Sequence, residues 1–342
     1  MNLLITGGAG FIGSSFVRTA INKGDNAVIL DILTYAGHEA NLEEVKGKYK
    51  FVKGNICDQK LVLDILKSES IDAIVNFAAE SHVDNSINGS AVFIDTNING
   101  TYNMLEAARK YYIELDETKK NKFRFIHIST DEVYGDLELD EDRKFDEQTS
   151  YNPSSPYSAS KAASDLLALA WHRTYSLPVI VTNCSNNYGP RQFPEKLIPH
   201  MISCALSGKP LPIYGDGKNI RDWIHVEDHC SGVYLAMING TIGQTYCFGG
   251  NAERSNLELV NNLCELLDKL SPNSSRSYKE QLIFVKDRAG HDRRYAIDDS
   301  KAVKELGFKR KYNFENGLKD TVKWYLDNSK WLTTMLSNKK CA

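Results

Sequence analysis

The chain has 342 residues, of which 42% are hydrophobic and 25% are charged, close to the average for soluble globular proteins. This composition excludes disordered, collagen-like and coiled-coil proteins, and the length fits one large domain or two closely packed ones. Lys and Arg total 41 against 44 Asp and Glu, a formal net charge of -3. The chain therefore has no overall positive field to hold nucleic acid or an anionic membrane.

The seven cysteines are odd in number, scattered, and form no Cys-x-x-Cys pair. This pattern disfavours a disulfide framework or a zinc site and is typical of a reducing compartment. The N-terminus, MNLLITGGAGFIG, has no basic leader, and its apolar run is too short for a signal peptide or a membrane span. We therefore expect a cytoplasmic protein with no membrane partner and no bound metal.

Short apolar runs alternate with helical patterns through the first half of the chain. The predicted strands cover residues 3–6, 27–31, 49–55, 73–79, 123–129 and 177–183. Continuous apolar strands separated by helices are typical of a doubly wound parallel α/β sheet, the Rossmann fold. The sequence therefore predicts a Rossmann domain over residues 1–183.

The rhythm changes after residue 183, where shorter elements are separated by Pro and Gly. Helical patterns return at 225–239, 257–270 and 314–327. We expect a smaller, mixed α/β region over residues 184–330 that packs beside the sheet, followed by a tail at 331–342.

A glycine-rich turn, TGGAGFIG, follows the first predicted strand and opens into a helix. Gly7 or Gly8 with Gly10 and Gly13 permit a tight turn and a close approach of the backbone to a pyrophosphate. Asp31 ends the second strand, where a carboxylate accepts hydrogen bonds from the adenosine ribose. The three residues after Asp31 include no Arg to receive a 2′-phosphate. The pattern predicts a site for NAD rather than NADP.

Tyr157 and Lys161 are four residues apart in a predicted helix, so their side chains lie on one face. A lysine ammonium, together with the positive nicotinamide ring, favours the phenolate and lowers the pKa of the phenol. Such a Tyr takes the proton of an alcohol while hydride leaves the carbon. The pair predicts an acid–base site for hydride transfer.

The segment STDEVYGD follows the strand at 123–129. Carboxyl ends of strands in an open α/β sheet face the ligand crevice, so Ser129, Thr130, Asp131 and Glu132 are expected there. Two adjacent carboxyl groups at a strand end serve as separate acid and base on one substrate. The alternative is that Asp131 and Glu132 merely cap a turn.

Motifs spread over residues 1–327 resemble the dTDP-glucose 4,6-dehydratases, a family of extended short-chain dehydrogenases/reductases that act on nucleotide sugars. The motifs are GGAGFIG, FAAESHVD, STDEVYGD, PYSASKAASD, NCSNNYGP, FPEKLIP, IRDWIHVEDH and DRAGHDRRYAID. The Thr-Asp-Glu triplet separates these dehydratases from sister epimerases, which share the glycine turn and the Tyr and Lys.

The resemblance implies a reaction in three stages. Tyr157 would take the C4 hydroxyl proton as hydride passes to NAD, while Thr130 holds that hydroxyl and Lys161 holds the nicotinamide ribose. Glu132 would remove the C5 proton and Asp131 would protonate the departing C6 hydroxyl. Hydride would then return to C6, giving a 4-keto-6-deoxy sugar on its nucleotide.

The resemblance also implies binding residues, with the region at 184–330 mainly holding the nucleotide sugar. The implied NAD contacts are Gly7, Gly10, Phe11, Ile12, Gly13, Asp31, Asn55, Ile56, Ala78, Ala79, Ser81, Thr96, Tyr157, Lys161 and Asn187. The implied substrate contacts are His82, Thr130, Asn186, Glu195, Lys196, Leu197, Pro212, Tyr214, Arg221, Asn256, and residues 287–291 with Asp287 and His291. Lys196 and Arg221 would meet the diphosphate.

Three alternatives stay open. In the first, the substrate is a UDP-sugar, because the region at 184–330, rather than the catalytic residues, recognises the base and the sugar. In another the enzyme is a nucleotide-sugar 4-epimerase, against which the adjacent Asp131 and Glu132 argue. The third is a non-catalytic NAD-binding sensor or scaffold, which the Tyr157 and Lys161 pair opposes.

Helical patterns at 89–112 and 156–176 are more apolar than one covered face requires. Relatives dimerise through this pair of helices, which forms a four-helix bundle. We therefore expect a homodimer.

Overall fold

The predicted parallel sheet is present in the computed structural model, which describes residues 1–339. The strands are β1 (Asn2–Thr6), β2 (Asn26–Asp31), β3 (Tyr49–Lys53), β4 (Ala73–Asn76), β5 (Arg124–Thr130), β6 (Val179–Cys184), β7 (Asn186–Tyr188), β8 (Leu211–Tyr214), β9 (Ile220–His225), β10 (Thr245–Phe248), β11 (Glu253–Ser255) and β12 (Leu282–Val285).

Helices are present where the patterns at 89–112, 156–176, 225–239, 257–270 and 314–327 predict them, although the first is interrupted, and the structure contains further helices that were not predicted. The helices are α1 (Phe11–Asn22), α2 (Gln59–Ser68), α3 (Val83–Asn88), α4 (Ala91–Phe93), α5 (Thr101–Glu114), α6 (Glu117–Lys122), α7 (Pro156–Tyr175), α8 (Leu197–Leu206), α9 (Val226–Asn239), α10 (Asn256–Leu270), α11 (Ser300–Leu306), α12 (Phe314–Asp327) and α13 (Ser329–Lys339). A π-helical stretch at Ile94–Gly100 joins α4 to α5, and 3₁₀ turns occupy Glu39–Val45, Asp131–Tyr134 and Tyr278–Gln281.

Seven strands form the main sheet in the order β3-β2-β1-β4-β5-β6-β10, with every neighbouring pair parallel. Helices α1, α9 and α11 cover one face, and α2, α5 and α7 cover the other. The strand order reverses between β1 and β4, where the carboxyl ends of strands leave a crevice for a ligand. This confirms the predicted Rossmann architecture.

The second region differs from the expected clean division at residue 183. Its strand β10 pairs with β6 and completes the main sheet, and its helices α9 and α11 join the core beneath that sheet. The remainder forms a smaller lobe with the sheets β11-β9-β7 and β12-β8. Helices α8, α10, α12 and α13 pack there around a core that includes Tyr188, Trp223, Leu263 and Tyr325.

Residues 331–339 are part of helix α13 rather than a tail, and residues 340–342 lie outside the described residues. Leu332 and Met335 are buried in the smaller lobe because α13 folds back against α12. The Trp331 indole N–H donates to Asn41 Oδ1 at 3.1 Å, and Asn41 Nδ2 donates to the Ala9 carbonyl at 2.8 Å. The C-terminal helix is thereby connected to the glycine turn.

A second connection between the lobes runs through Arg191. Its guanidinium lies 2.5 Å from Glu44 and stacks over the Trp324 ring at 5.1 Å. Glu44 belongs to the 3₁₀ turn that contains Asn41. The helices α12 and α13 therefore contact the glycine-turn side of the sheet at two neighbouring points. None of the helices in residues 1–339 is long and apolar enough to cross a membrane.

The contact between Trp331 and Asn41 predicts a stability effect. Asn41→Ala removes a buried amide and leaves the Ala9 carbonyl without this partner, so we expect the free energy of unfolding to fall by about 1–3 kcal/mol. Trp331→Phe keeps the packing, loses one hydrogen bond and is expected to cost about 1 kcal/mol. Denaturant unfolding measures both. The matched control is Asn26→Ala, which removes an exposed amide and should lower the free energy of unfolding by less than about 0.5 kcal/mol. Equal losses in all three variants would contradict the interpretation.

Candidate active site

A cleft of about 460 Å³ lies at the carboxyl ends of β1, β4, β5 and β6. It gathers residues that are far apart in the sequence, because these strand ends meet at one edge of the sheet. The predicted site residues that line it are Gly7, Gly10, Phe11, Ile12, Gly13, Asp31, Asn55, Ile56, Ala78, Ala79, Ser81, Thr96, Thr130, Asp131, Glu132, Tyr157, Lys161, Asn186, Asn187, Glu195 and Lys196.

The glycine turn is packed too tightly for a side chain at two positions, Gly7 and Gly13. Gly7 has φ +64°, and a Cβ there would lie 2.8 Å from the Ala78 backbone nitrogen. A Cβ on Gly13 would lie 2.2 Å from the Gly7 carbonyl oxygen. Helix α1 begins after Gly10 with no side-chain cap and no acidic residue in its first turn. Its N–H groups and the positive end of its dipole therefore suit a pyrophosphate, so the cradle fits NAD.

Asp31 is fixed by the backbone on both oxygens. Oδ2 accepts from the Ala9 N–H at 2.9 Å and Oδ1 from the Leu33 N–H at 2.8 Å. Burial raises the pKa of Asp31, while these two N–H groups act in the opposite direction. Its neighbours in the lining, Ile32 and Thr34, are uncharged. The carboxyl group thus fits the ribose of NAD and offers no support for a 2′-phosphate.

Thr96, which lines the cleft, belongs to the π-helical stretch. Within it, Asn97 accepts from the Glu80 N–H at 2.9 Å and donates to the Glu80 carbonyl at 3.0 Å. Asn97 Nδ2 also donates to Ser160 Oγ at 2.8 Å. These bonds fix the segment after β4, with Ala78 and Ala79, against helix α7. π-helical turns inside α-helices are frequent at functional sites.

Helix α7 places Tyr157 and Lys161 in the cleft. The helix begins with a capping box between Ser155 and Ser158 and has Pro at its first position, which fixes its start. The Lys161 ammonium donates to the Ile128 carbonyl at 2.7 Å. Burial lowers the pKa of Lys161. The predicted pair is therefore brought together on one helix face.

The predicted lowering of the Tyr157 pKa does not hold for the protein's own groups. Burial raises the pKa of Tyr157 well above its ordinary value, with further increases from the charges of Glu132 and Asp131. A hydrogen bond with Thr130 acts in the opposite direction. The lowering therefore depends on the positive charge that oxidised nicotinamide supplies when bound.

Asp131 and Glu132 have different surroundings although they are adjacent. Asp131 is buried, accepts from Thr130 Oγ1 at 3.2 Å, and has no partner for Oδ2 within the described residues. Burial raises its pKa well above the usual range, and the charges of Glu132 and Asp222 raise it further.

Glu132 is partly exposed, and three cations act on it. Burial raises its pKa, but the charges of Arg288, Lys196 and Arg221 lower it. Both pKa values are therefore raised, but that of Asp131 is raised further, because only Glu132 has three cations that oppose the effect of burial. Two carboxyl groups with separated pKa values are what an acid and a base on neighbouring atoms require. This arrangement is more than a turn cap.

Several predicted substrate residues lie outside the lining of the cleft. They are His82, Leu197, Pro212, Tyr214, Arg221, Asn256, Asp287 and His291. His82 Nε2 lies 3.9 Å from Glu195, which does line the cleft. Arg221 is buried and stacks on the Tyr295 ring at 4.1 Å.

The remaining predicted substrate residues lie in the smaller lobe. The His291 ring meets Tyr214 edge-on at 6.2 Å, and its Nδ1 lies 2.6 Å from Asp287. Pro212 and Tyr214 are on β8, while Leu197 and Asn256 begin helices α8 and α10. The structure therefore gathers the NAD and acid–base residues in one cleft and leaves these residues beyond its edge.

The sequence missed several residues that line the cleft, among them Glu80, Cys184, Gln192 and Phe193. Glu80 is within the quoted motif FAAESHVD, and Cys184 within NCSNNYGP, so their motifs carried the signal. Phe193 likewise begins the quoted motif FPEKLIP, whereas Gln192 precedes it in an irregular segment whose path the sequence patterns do not predict.

The raised pKa of Asp131 predicts a pH-dependent stability. A carboxyl group whose pKa is higher in the folded state stabilises the protein fully below its unfolded pKa, about 4, and this contribution is lost as pH rises through the folded pKa. Asp131→Asn cannot ionise and should lose less stability between about pH 4 and 8. Thermal unfolding at a series of pH values measures how the stability of each protein changes with pH. Asp140→Asn, at an exposed position, should follow the unmodified protein; identical curves for all three would refute the assignment.

Comparisons with known proteins agree with this geometry. The sequence family described as GDP-mannose 4,6 dehydratase matches residues 4–321. The dTDP-glucose 4,6-dehydratase of Haemophilus influenzae is 56% identical over 335 residues, which cover 96% of this chain and 99% of that protein.

Two solved structures cover nearly the whole chain. The dTDP-glucose 4,6-dehydratase of Bacillus anthracis, crystallised with NAD, has a TM-score of 0.86 at 44% identity and covers 98% of this chain and 99% of its own. The UDP-glucose 4-epimerase of Thermotoga maritima has a TM-score of 0.85 at 28% identity and covers 96% of this chain and 100% of its own. The fold is thus shared with epimerases, while the sequence is much closer to the dehydratases. The chain belongs to the dTDP-glucose 4,6-dehydratase family.

Proposed function

We propose that this protein is an NAD-dependent hydro-lyase that converts dTDP-glucose to dTDP-4-keto-6-deoxyglucose. It oxidises C4, eliminates water across C5 and C6, and reduces C6. The observation that carries the proposal is the adjacent pair Asp131 and Glu132, with separated pKa values, in one cleft with Tyr157. The 56% identity to a dTDP-glucose 4,6-dehydratase supports the same conclusion.

NAD, when bound, supplies a hydride acceptor for C4 and returns that hydride to C6. The glycine turn and Asp31 hold the pyrophosphate and ribose, and Lys161 holds the nicotinamide ribose. Tyr157 takes the proton of the C4 hydroxyl, and Thr130, which hydrogen-bonds to Tyr157, orients that hydroxyl. The C4 carbon becomes a ketone in this step.

The ketone makes the C5 proton acidic. Glu132, ionised under the influence of Arg288, Lys196 and Arg221, removes that proton. Asp131, kept protonated by burial, donates its proton to the C6 hydroxyl, and the C6–O bond breaks to release water. A C5–C6 double bond conjugated to the ketone results, and hydride at C6 with a proton at C5 completes the product.

The two regions divide the binding. Residues 1–183 bind NAD, and residues 184–330 mainly bind the nucleotide sugar, with Lys196 and Arg221 on the diphosphate. Lys196 is anchored by donation to the Ser81 carbonyl at 2.7 Å, so its charge is held at the mouth of the cleft.

The six described cysteines are free thiols, which suits a cytoplasmic enzyme.

The enzyme is proposed to act as a homodimer through the surfaces of α5 and α7. Leu166 on α7 is 59% exposed and Ile113 on α5 is 60% exposed. Tyr102 and Tyr175 are also exposed on these helices. Two helices with apolar exposed residues from each copy would form a four-helix bundle that buries them.

The first test concerns Glu132. Glu132→Gln cannot remove the C5 proton, so we expect dehydration of dTDP-glucose to fall by about 10²–10⁴-fold, with oxidation at C4 retained. Product mass reports the loss of water, and reduced-nicotinamide absorbance reports the oxidation. Glu138→Gln, the same change at an exposed position, should keep full activity. Unchanged dehydration by Glu132→Gln would remove Glu132 from the mechanism.

The same assay separates the alternatives. Loss of water from UDP-glucose or UDP-N-acetylglucosamine, with none from dTDP-glucose, would keep the mechanism and change the substrate. Conversion to a C4 epimer without mass change would assign an epimerase. Tight NAD binding with no turnover of any nucleotide sugar would favour the sensor or scaffold.

The second test concerns the dimer. Leu166→Asp places a charge in the proposed bundle, so light scattering should give the mass of one chain instead of two. Val303→Asp is the matched control, an exposed aliphatic residue on helix α11, and should leave the mass at two chains. A single-chain mass for the unmodified protein would overturn the dimer proposal.

A further inference from the structure

A line of buried polar side chains crosses the main sheet and ends beneath Lys161. Thr6 of β1 is paired in register with Asn76 of β4, and Asn76 with His127 of β5. Thr6 Oγ1 donates to Asn76 Oδ1 at 2.6 Å, and Asn76 Nδ2 lies 3.3 Å from His127 Nδ1. Each of these residues is buried. Polar groups in such a core persist when each has a partner.

The line fixes the tautomer of His127. Because the Thr6 hydroxyl accepts from the Ala78 N–H and donates to Asn76 Oδ1, the Asn76 amide group turns its N–H₂ toward His127 Nδ1. Nδ1 is then an acceptor, and the ring proton is on Nε2. Burial and the charge of Lys161 lower the pKa of His127 and outweigh the opposite effect of Asp165, so the neutral ring is favoured.

The Nε2 side of His127 faces helix α7. Ser164 Oγ lies 3.0 Å from it, Asp165 Oδ1 3.2 Å, and Lys161 Nζ 3.5 Å. Ser164 donates its own proton to the Lys161 carbonyl at 2.8 Å, so its oxygen is an acceptor for Nε2–H. The Lys161 ammonium and the Asp165 carboxyl group therefore approach the same side of the His127 ring.

Asp165 is fully buried on the same helix face as Lys161, one turn further along. Its Oδ2 accepts from the Ser129 hydroxyl at 2.6 Å and from the Tyr151 hydroxyl at 3.1 Å. Its Oδ1 has no hydrogen-bond partner within the described residues and lies against His127. Asp165 has no role in the proposed dehydration.

Other titratable groups around Lys161 do not supply a negative charge. Burial raises the pKa of Cys184 on β6 and that of Tyr157 on α7, and Asp131 is kept protonated. His127 on β5 is neutral. The charge of Asp165 opposes the effect of burial on the pKa of Lys161. A buried ammonium without a counter-ion would lose its proton.

We propose that Asp165 is a positioning residue for catalysis, the buried counter-ion that keeps Lys161 charged, with neutral His127 placed against both groups. Ser129 and Tyr151 hold Asp165, and the Ile128 carbonyl holds the ammonium. Lys161 then keeps a fixed positive charge beside Tyr157 and the nicotinamide ribose. The inference rests on the proposed function for its activity readout alone.

The first experiment is the pH profile of kcat for dehydration of dTDP-glucose by Asp165→Asn, which preserves shape and removes charge. With less support for the ammonium, the alkaline limb should move to lower pH by at least about one unit. Asp140→Asn makes the same change at an exposed position, so its alkaline limb should coincide with that of the unmodified enzyme. An unmoved limb in Asp165→Asn, with activity lowered equally at every pH, would overturn the proposal.

The second experiment uses stability and needs no activity. Lys161→Met leaves Asp165 as an uncompensated buried charge, so adding Asp165→Asn to it should raise the Tm, whereas Asp165→Asn alone should lower it. If Asp165→Asn alone does not fold, the test can still be made, because the double variant should fold. An equal loss in both backgrounds, or an unfolded double variant, would overturn the proposal. Failure of the unmodified enzyme to dehydrate dTDP-glucose, with this rescue intact, would refute the proposed function and leave the charge pair standing.

Discussion

Removal of water from charged groups is the constraint on which the site depends. Lys161, Asp131 and Arg221 are all buried, and an isolated buried charge costs too much free energy to persist. Each of these three groups avoids that cost in a different way. Asp131 stays protonated, Arg221 donates to the Asp292 carbonyl and stacks on an aromatic ring, and Lys161 donates to a backbone carbonyl. The acid–base properties of the cleft follow from these solutions.

The glycine turn has supports from three directions. Asp31 holds it from β2, and Ala78 packs against it from the segment after β4. Asn41 holds it from the 3₁₀ turn and is itself bonded to Trp331 of the C-terminal helix. A ligand bound in this turn would therefore contact a structure whose rigidity depends on residues from both ends of the chain.

Local signals explain what could be predicted from the sequence. Strand and helix patterns and the glycine turn depend on residues close together, and the motif around Asp131 follows directly after a strand. Three features depended instead on distant partners. The helix α13 is stabilised by Leu332 and Met335 in the core of the smaller lobe, so its segment looked like a tail. The pairing of β10 with β6 crosses the predicted domain boundary.

The third feature is the surroundings of single groups. Spacing predicts that Tyr157 and Lys161 share a helix face, but the pKa of Tyr157 depends on burial and on the charges of Glu132 and Asp131. Likewise, the residues beyond the edge of the cleft, such as Tyr214 and His291, were implied by the family resemblance, which carries no information on distance. Desolvation and long-range charge are properties of the assembled fold, which periodicity does not contain.

The position of β10 has a consequence for synthesis of the chain. When residues 1–184 have left the ribosome, β6 pairs with β5 on one side only, and the backbone N–H and C=O groups on its other side stay unpaired until β10 is made. Helix α9, which covers part of the same core, also arrives later. During synthesis, the nascent nucleotide-binding half therefore exposes an unpaired strand edge and an apolar face until the rest of the chain is made. A chaperone that shields such surfaces would act on this enzyme before its second half is complete.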